Sequence, residues 1–413
     1  MRVKILFVLF IIFITPVMLF AQIPYRKADN IYPANAPDIV SRSAVLVDAE
    51  TGTVLFFKNP NDPIPPASLT KLMTMHIVMT AIKEGKTNMN EFVPITRESW
   101  ALSQPPRSSL MFLAPGQYVT VREILTGLAV VSGNDAAVAA ALHIAPSMKD
   151  FAEMMNAEAR RMGLTSTRFV ESSGISSSNI TTAYEFASFC YHYLKLHPNS
   201  ISDFHSVREM SFPLAENVRE RYRSSVQTIL QYNRNNLLRS YEGVDGLKTG
   251  FIDESGFNIA LTARRNYTRF ILVILGGPNE QGGAGMRDRD CETVLTWAFE
   301  KFQTVYPELN SLIKYQMEFV KIWKGKNKTV ALEIKKDEML NFTSYLNRAD
   351  EMKYEVVIPR KLIAPISKGT EVGYLLIYDD IGPLKKIPLV TKTECVKGNI
   401  FKRIWHSFLL LFQ

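Results

Sequence analysis

Two short apolar runs, Ala44 to Asp48 and Thr53 to Lys58, are joined by Ala49-Glu50-Thr51-Gly52 and predict a β-hairpin. From Ser68 to about Lys83 the period changes to helical, with Leu69, Leu72, Met73, Ile77 and Val78 on the apolar positions. Further helical segments follow to about Leu196. Thr120-Val121-Arg122-Glu123 has the form of a capping box, and Ser147 caps a helix over about 149–162 whose Phe151, Met154 and Met155 predict a core stripe. Strand patterns return at Val244–Thr249, Phe257–Ala263 and Arg269–Leu275, and Glu292–Val305 closes the region as a helix.

Strands thus begin and end this region and helices fill its middle. That order predicts an α+β domain: an antiparallel sheet whose first and last strands meet, with helices on its faces. Beyond about Leu309 the texture becomes short β-branched runs, at Met317–Ile322, Val330–Ile334, Tyr354–Ile358, Glu371–Ile377 and Lys386–Val390, which predict a small all-β domain. In the final segment Ile400, Phe401, Ile404, Trp405, Phe408, Leu409, Leu411 and Phe412 fall on one helical face, opposite Lys402, Arg403, His406 and Ser407. Such a helix is too short to span a bilayer and suits a membrane surface, or else docks on the protein itself.

Residues 1–21 carry Arg2 and Lys4, an apolar stretch from Ile5 to Phe20, and Ala21 at a cut position, the plan of a secretory signal. An uncleaved N-terminal anchor is the alternative reading of the same run; both export the rest. The divisions expected are 1–21 signal, 22–307 first domain, 308–394 β domain and 395–413 amphipathic helix.

The composition, 46 % apolar and 21 % charged over 413 residues, is that of a globular protein with room for two domains. A net charge of +8 spread along the chain argues against nucleic acid as partner. Cys190, Cys291 and Cys395 are odd in number and far apart, so they read as free thiols. The histidines form no ligand pattern; His76 and His143 lie in apolar helical stretches and read as core. No metal and no cofactor is expected.

Three short motifs carry chemistry. Ser68-Leu69-Thr70-Lys71 opens a helix, so hydroxyl and amine three residues apart share a face and a neutral lysine can deprotonate the serine. Ser132-Gly133-Asn134 breaks two helical runs and presents two polar side chains, although Ser132 also reads as a helix cap. Lys248-Thr249-Gly250 ends an apolar run, where a strand edge with a glycine admits an extended peptide. Each is weak alone: Ser311-Leu312-Ile313-Lys314 and Ser177-Ser178-Asn179 repeat the first two forms by accident. Together and in this order they form the set of penicillin-binding proteins and related β-lactamases.

With Pro-Pro-Ala-Ser-Leu-Thr-Lys at 65–71, Ser-Gly-Asn-Asp-Ala-Ala at 132–137 and Val-Asp-Gly-Leu-Lys-Thr-Gly at 244–250, the chain resembles the low-molecular-mass penicillin-binding proteins. Specifically, it is similar to serine D-alanyl-D-alanine carboxypeptidases of the S11 type with an appended β domain. The resemblance implies Ser68 as nucleophile, Lys71 as its base and Ser132 as proton relay. It also implies Asn134 binding the peptide backbone, Lys248 supplying positive potential, and Thr249 contacting the terminal carboxylate with Arg234 and Arg287 near it. Backbone N–H groups of Ser68 and Phe251 would form the oxyanion hole beside Gly250, with Phe251 standing where relatives commonly carry a polar residue. The implied substrate is a peptidoglycan stem peptide ending in D-Ala-D-Ala, with β-lactams as inhibitors and an extracytoplasmic, peripherally membrane-bound location. Rival readings are a β-lactamase, a DD-endopeptidase on the same residues, and a non-catalytic wall-binding scaffold. Glu171, in Glu-Ser-Ser-Gly-Ile, does not resemble the deacylating loop of class A lactamases.

Overall fold

A computed structural model describes residues 36–336, 338–346, 351–380 and 382–412. The expected signal at 1–21 lies outside the described residues. The first hairpin forms as β1 (Ser43–Asp48) and β2 (Val54–Lys58). Its turn closes because the Asp48 carboxylate accepts from the N–H and hydroxyl of Thr51, and Gly52 takes the left-handed φ of 74°. Five helices follow: α1 (Thr70–Lys83), α2 (Val121–Val130), α3 (Asn134–Ile144), α4 (Met148–Arg161) and α5 (Ala183–Leu196). Then come β3 (Val244–Ile252), β4 (Gly256–Arg265), β5 (Thr268–Gly277) and α6 (Gly283–Lys301).

The strands form one antiparallel sheet of order β2-β1-β5-β4-β3. The first and last strands of the chain do meet, with Ser43 opposite Leu275 and Asp48 opposite Phe270. Alternation along each strand divides the core in two. Val45, Val47, Ile271 and Val273 face the helices α1 to α5, whereas Ala44, Leu46, Leu272 and Ile274 face Val294, Leu295 and Ala298 of α6. Helix α1 runs through the middle of the larger layer and is buried on nearly every side, including Lys71. Both expected caps form: Thr120 and Glu123 make a reciprocal box at α2, and the Ser147 hydroxyl accepts the Asp150 N–H at α4.

Three details differ from expectation. Met154 is 38 % exposed while Phe151 and Met155 are buried, so α4 buries a narrower stripe than its apolar residues suggest. The closing helix begins at Gly283 and stops at Lys301; Phe302–Val305 turn extended and pair with Phe342–Tyr345 in the second half of the chain. The expected strand over 317–322 is instead the end of helix α7 (Ser311–Glu318), capped by Asn310, with only Val320–Lys321 extended. The Ser311–Lys314 motif therefore lies on α7, with Ser311 and Lys314 exposed and Ile313 buried in the second core.

The second unit is built on β6 (Leu332–Ile334), β7 (Lys353–Val357), β8 (Glu371–Asp379) and β9 (Gly382–Thr391), in the order β6-β9-β8-β7. Its own core holds Leu375, Ile377, Ile387 and Leu389. It is tied to the first hairpin: Thr343 donates to the buried Asp48 carboxylate at 2.6 Å, and Lys385 donates to Glu50 at 2.8 Å. The chain ends in α8 (Ile400–Leu409) with Asn399 as its cap. No described helix is long and apolar enough to cross a membrane. The three cysteines are buried and unpaired.

Candidate active site

Ser68 sits in a tight turn, Ala67–Leu69, that runs directly into α1. Ala67 takes a left-handed φ of 51°, and the loop around Gly174 is pressed against it: a Cβ at Gly174 would lie 1.8 Å from the Ala67 carbonyl. One turn on, Lys71 shares the face of Ser68, and its Nζ is 3.0 Å from Ser68 Oγ. That amine also donates to Asn134 Oδ1 at 2.8 Å and to the Ser173 carbonyl at 2.6 Å. It is wholly buried, and burial lowers its pKa from the usual lysine value to about 7, opposed by the charges of Glu171 and Asp135.

The second motif forms the link between α2 and α3. Ser132 has φ 62°, strained for a residue with a Cβ, and Asn134 opens α3. The Asn134 amide is occupied at both ends, accepting from Lys71 and donating to Ser108 Oγ at 3.1 Å. Asp135 beside it is fully buried and accepts the N–H groups of Met111, Phe112, Leu113 and Ala136, although burial still raises its pKa. This carboxylate fixes residues 111–113 against the Ser132 turn.

Lys248, Thr249 and Gly250 lie on β3, the exposed edge of the sheet. A Cβ at Gly250 would approach the Pro66 carbonyl to 2.9 Å and the Ser68 N to 3.0 Å, so glycine is what lets the strand lie against the nucleophile. Lys248 is buried and donates to the Thr249 carbonyl at 2.8 Å. Burial, then the positive charges of Lys71, Arg234 and Arg287, hold its pKa well below the usual value.

These pieces meet in an open cleft of about 540 Å3. Ser68, Ser132, Thr249, Gly250 and Phe251 all line it. The Phe251 ring is 42 % exposed and lies 4.4 Å from that of Phe257. Arg234 is exposed at the rim; Arg287, on α6, is 3 % exposed and braced by Asp288 and the Asn258 carbonyl. Lys71, Asn134 and Lys248 lie behind the lining rather than in it. Three arginines, Arg107 included, give the cleft a positive lining suited to a carboxylate.

Sequence reasoning missed the supports. Glu171 accepts from Ser173 N, Ser173 Oγ, Gly174 N and Asn179 Nδ2, and so holds the loop that offers the Ser173 carbonyl to Lys71. The Ser-Gly-rich string after Glu171 was the available signal. Arg107 and Ser108 lie in a Pro-Pro-Arg-Ser-Ser loop, where no period or spacing marks them.

Comparison with known proteins gives the same answer. The family model of D-alanyl-D-alanine carboxypeptidases, peptidase family S11, matches residues 31–279, and that of the penicillin-binding protein 5 C-terminal domain matches 309–397. The D-alanyl-D-alanine carboxypeptidase DacF of Bacillus subtilis (strain 168) is 32 % identical over 362 residues, covering 87 % of each chain. DacA of Escherichia coli (strain K12) is also 32 % identical, over 91 % of this chain and 89 % of its own. Penicillin-binding protein 5 from Haemophilus influenzae superposes with a TM-score of 0.72 at 28 % identity, over 89 % of this chain and all of that one. The chain belongs to the serine-type D-Ala-D-Ala carboxypeptidases of peptidase family S11, with the two-domain plan of penicillin-binding protein 5.

Proposed function

We propose that Ser68 is the acylated nucleophile and that neutral Lys71 takes its proton as Oγ attacks the carbonyl between the two terminal D-alanines. The observation that carries this is the buried amine 3.0 Å from that hydroxyl, with a pKa near working pH. The proton then passes to the departing D-alanine amine by way of Ser132, and water hydrolyses the ester by the reverse route. Backbone N–H groups of Ser68 and Phe251 hold the oxyanion, a role that a phenylalanine side chain leaves untouched. The stem peptide lies extended along β3, Thr249 and the cleft arginines take its terminal carboxylate, and Lys248 supplies a fixed positive potential behind them. Asn134 positions Lys71 and contacts the substrate backbone once the cleft is filled.

The five hydrogen bonds accepted by the Glu171 carboxylate favour a loop anchor over a deacylating base, which speaks against a β-lactamase. The first domain spans 22–307, the β domain 308–394 and the helical tail 395–413, and the mature chain works outside the cytoplasm. Its tail lies on a membrane surface through Phe401, Ile404, Trp405, Phe408, Leu411 and Phe412, all at least half exposed. Labelled penicillin should attach covalently to the purified protein, and pentapeptide ending in two D-alanines should release one. Labelling that persists in Ser68→Ala would refute the assignment of the nucleophile.

A further inference from the structure

The terminal helix is not a free tail. Its polar face is fastened to the end of the β domain: His406 Nδ1 accepts the Lys324 N–H at 2.8 Å, and the His406 ring meets Trp323 edge-on at 5.3 Å. Lys402 donates to the Lys326 carbonyl at 3.0 Å, and Lys361 to the Leu410 carbonyl at the helix end. The apolar face is thereby turned outward in a fixed orientation. Three stretches of chain meet at this end: 319–330, 359–370 and 395–412. Between them they carry ten Lys and Arg and no Asp or Glu, against +8 for the whole chain, so the remainder is net negative.

We propose that helix and β-domain loops form one preassembled platform for an anionic phospholipid surface, in which the helix inserts its apolar stripe and the loop lysines contact the headgroups. This rests on the membrane reading above and adds a lipid preference carried by residues outside the helix. Lys326, Lys328 and Lys397 are exposed around it, and Ile363 and Val396, also exposed, extend the apolar surface at the same end. The charge asymmetry and the apolar stripe together match a surface that is negative at the headgroups and hydrocarbon beneath. Because the helix is already ordered and oriented, binding need not order it first.

The test is sedimentation of the full chain with vesicles of phosphatidylcholine alone or with one-third phosphatidylglycerol, at about 0.1 M salt where surface charges still act. The triple variant Lys326→Gln, Lys328→Gln, Lys397→Gln should bind the anionic vesicles about a hundredfold more weakly, at about fivefold per cation, and the neutral vesicles as before. Unchanged hydrolysis of a soluble pentapeptide shows that the variant is folded. No loss on anionic vesicles, or an equal loss on both kinds, overturns the proposal. So does a preference of the unaltered chain for a soluble anionic wall polymer over vesicles. Trp405→Ala with Phe408→Ala tests the underlying reading separately: binding to neutral vesicles must fall, and if it does not, the helix is no anchor.

Discussion

If Lys71 acts as a neutral base, the rate of acylation must follow the fraction of its amine that is unprotonated. With a pKa of about 7, set mainly by burial, that fraction is about nine-tenths at pH 8, about a tenth at pH 6 and about a hundredth at pH 5. Between pH 6 and 8 the second-order rate of penicillin labelling should therefore rise about tenfold and then level off. A lysine at its ordinary pKa would give about a hundredfold over the same interval and no plateau below pH 10. Asn134→Asp supplies the control, because its oxygen lies 2.8 Å from Nζ and would become a carboxylate. A carboxylate that close raises a lysine pKa by about one to three units, so labelling at pH 7 should fall at least about fivefold and recover as pH rises. Stopped-flow labelling with a fluorescent penicillin from pH 5 to 10 reads both curves. A flat profile, or a steep one that never levels off, would refute the role given to Lys71, and an unshifted limb in Asn134→Asp would refute the geometry.

Gly250→Ala should leave the protein folded but cost at least about tenfold in acylation, since the new Cβ pushes β3 away from Ser68 by meeting Pro66 O and Ser68 N; unaltered labelling kinetics would contradict this. Asp135→Asn turns an acceptor of four N–H groups into a mixed donor and acceptor in a closed site, and thermal unfolding should show a loss of about 2–3 kcal/mol; an unchanged midpoint would count against the clamp. His197 and His205 are held neutral by burial, with pKa values near 3 against an ordinary 6.5. Their depressed native pKa means full stability above about pH 7 and a loss as pH falls from 6.5 towards 3, because only the unfolded chain takes up the protons. The slope is about 1.4 kcal/mol per pH unit for each imidazole, hence about 3 kcal/mol for both at pH 5.5, and equal urea midpoints at pH 7.5 and 5.5 would exclude it.

Much of this was legible in the residues, and the reason is periodicity. The sheet strands alternate between two cores, and α1 carries its serine and lysine three residues apart, so both the fold class and the chemical motifs leave short-range marks. Gly250 was readable for the same reason: a glycine inside a strand pattern signals close approach. The supports left no such mark. Glu171 makes no hydrogen bond to Lys71 and acts on it by its charge and through the loop carbonyl that it holds, and Asp135 clamps a segment more than twenty residues before it. Asp135 accepts from backbone groups, which any residue type offers, and Glu171 does so in part. The Met317–Ile322 strand failed because the Asn310 cap and its hydrogen bond to Ile313 N favour a helix over an apolar run too short to choose for itself. Phe302–Val305 left the preceding helix because a partner strand forty residues on was available, and no window of sequence contains both.

The bonds from Thr343 to Asp48 and from Lys385 to Glu50 join the second unit to the turn of the first hairpin, whose strand β1 lies at the heart of the catalytic sheet. The last helix is fastened to that same unit through His406 and Lys402, so the second unit links the helix to the catalytic sheet. A surface bound through that helix would therefore meet the cleft at a height set by the second unit, since within the described residues every link from helix to catalytic sheet runs through hydrogen-bonded structure.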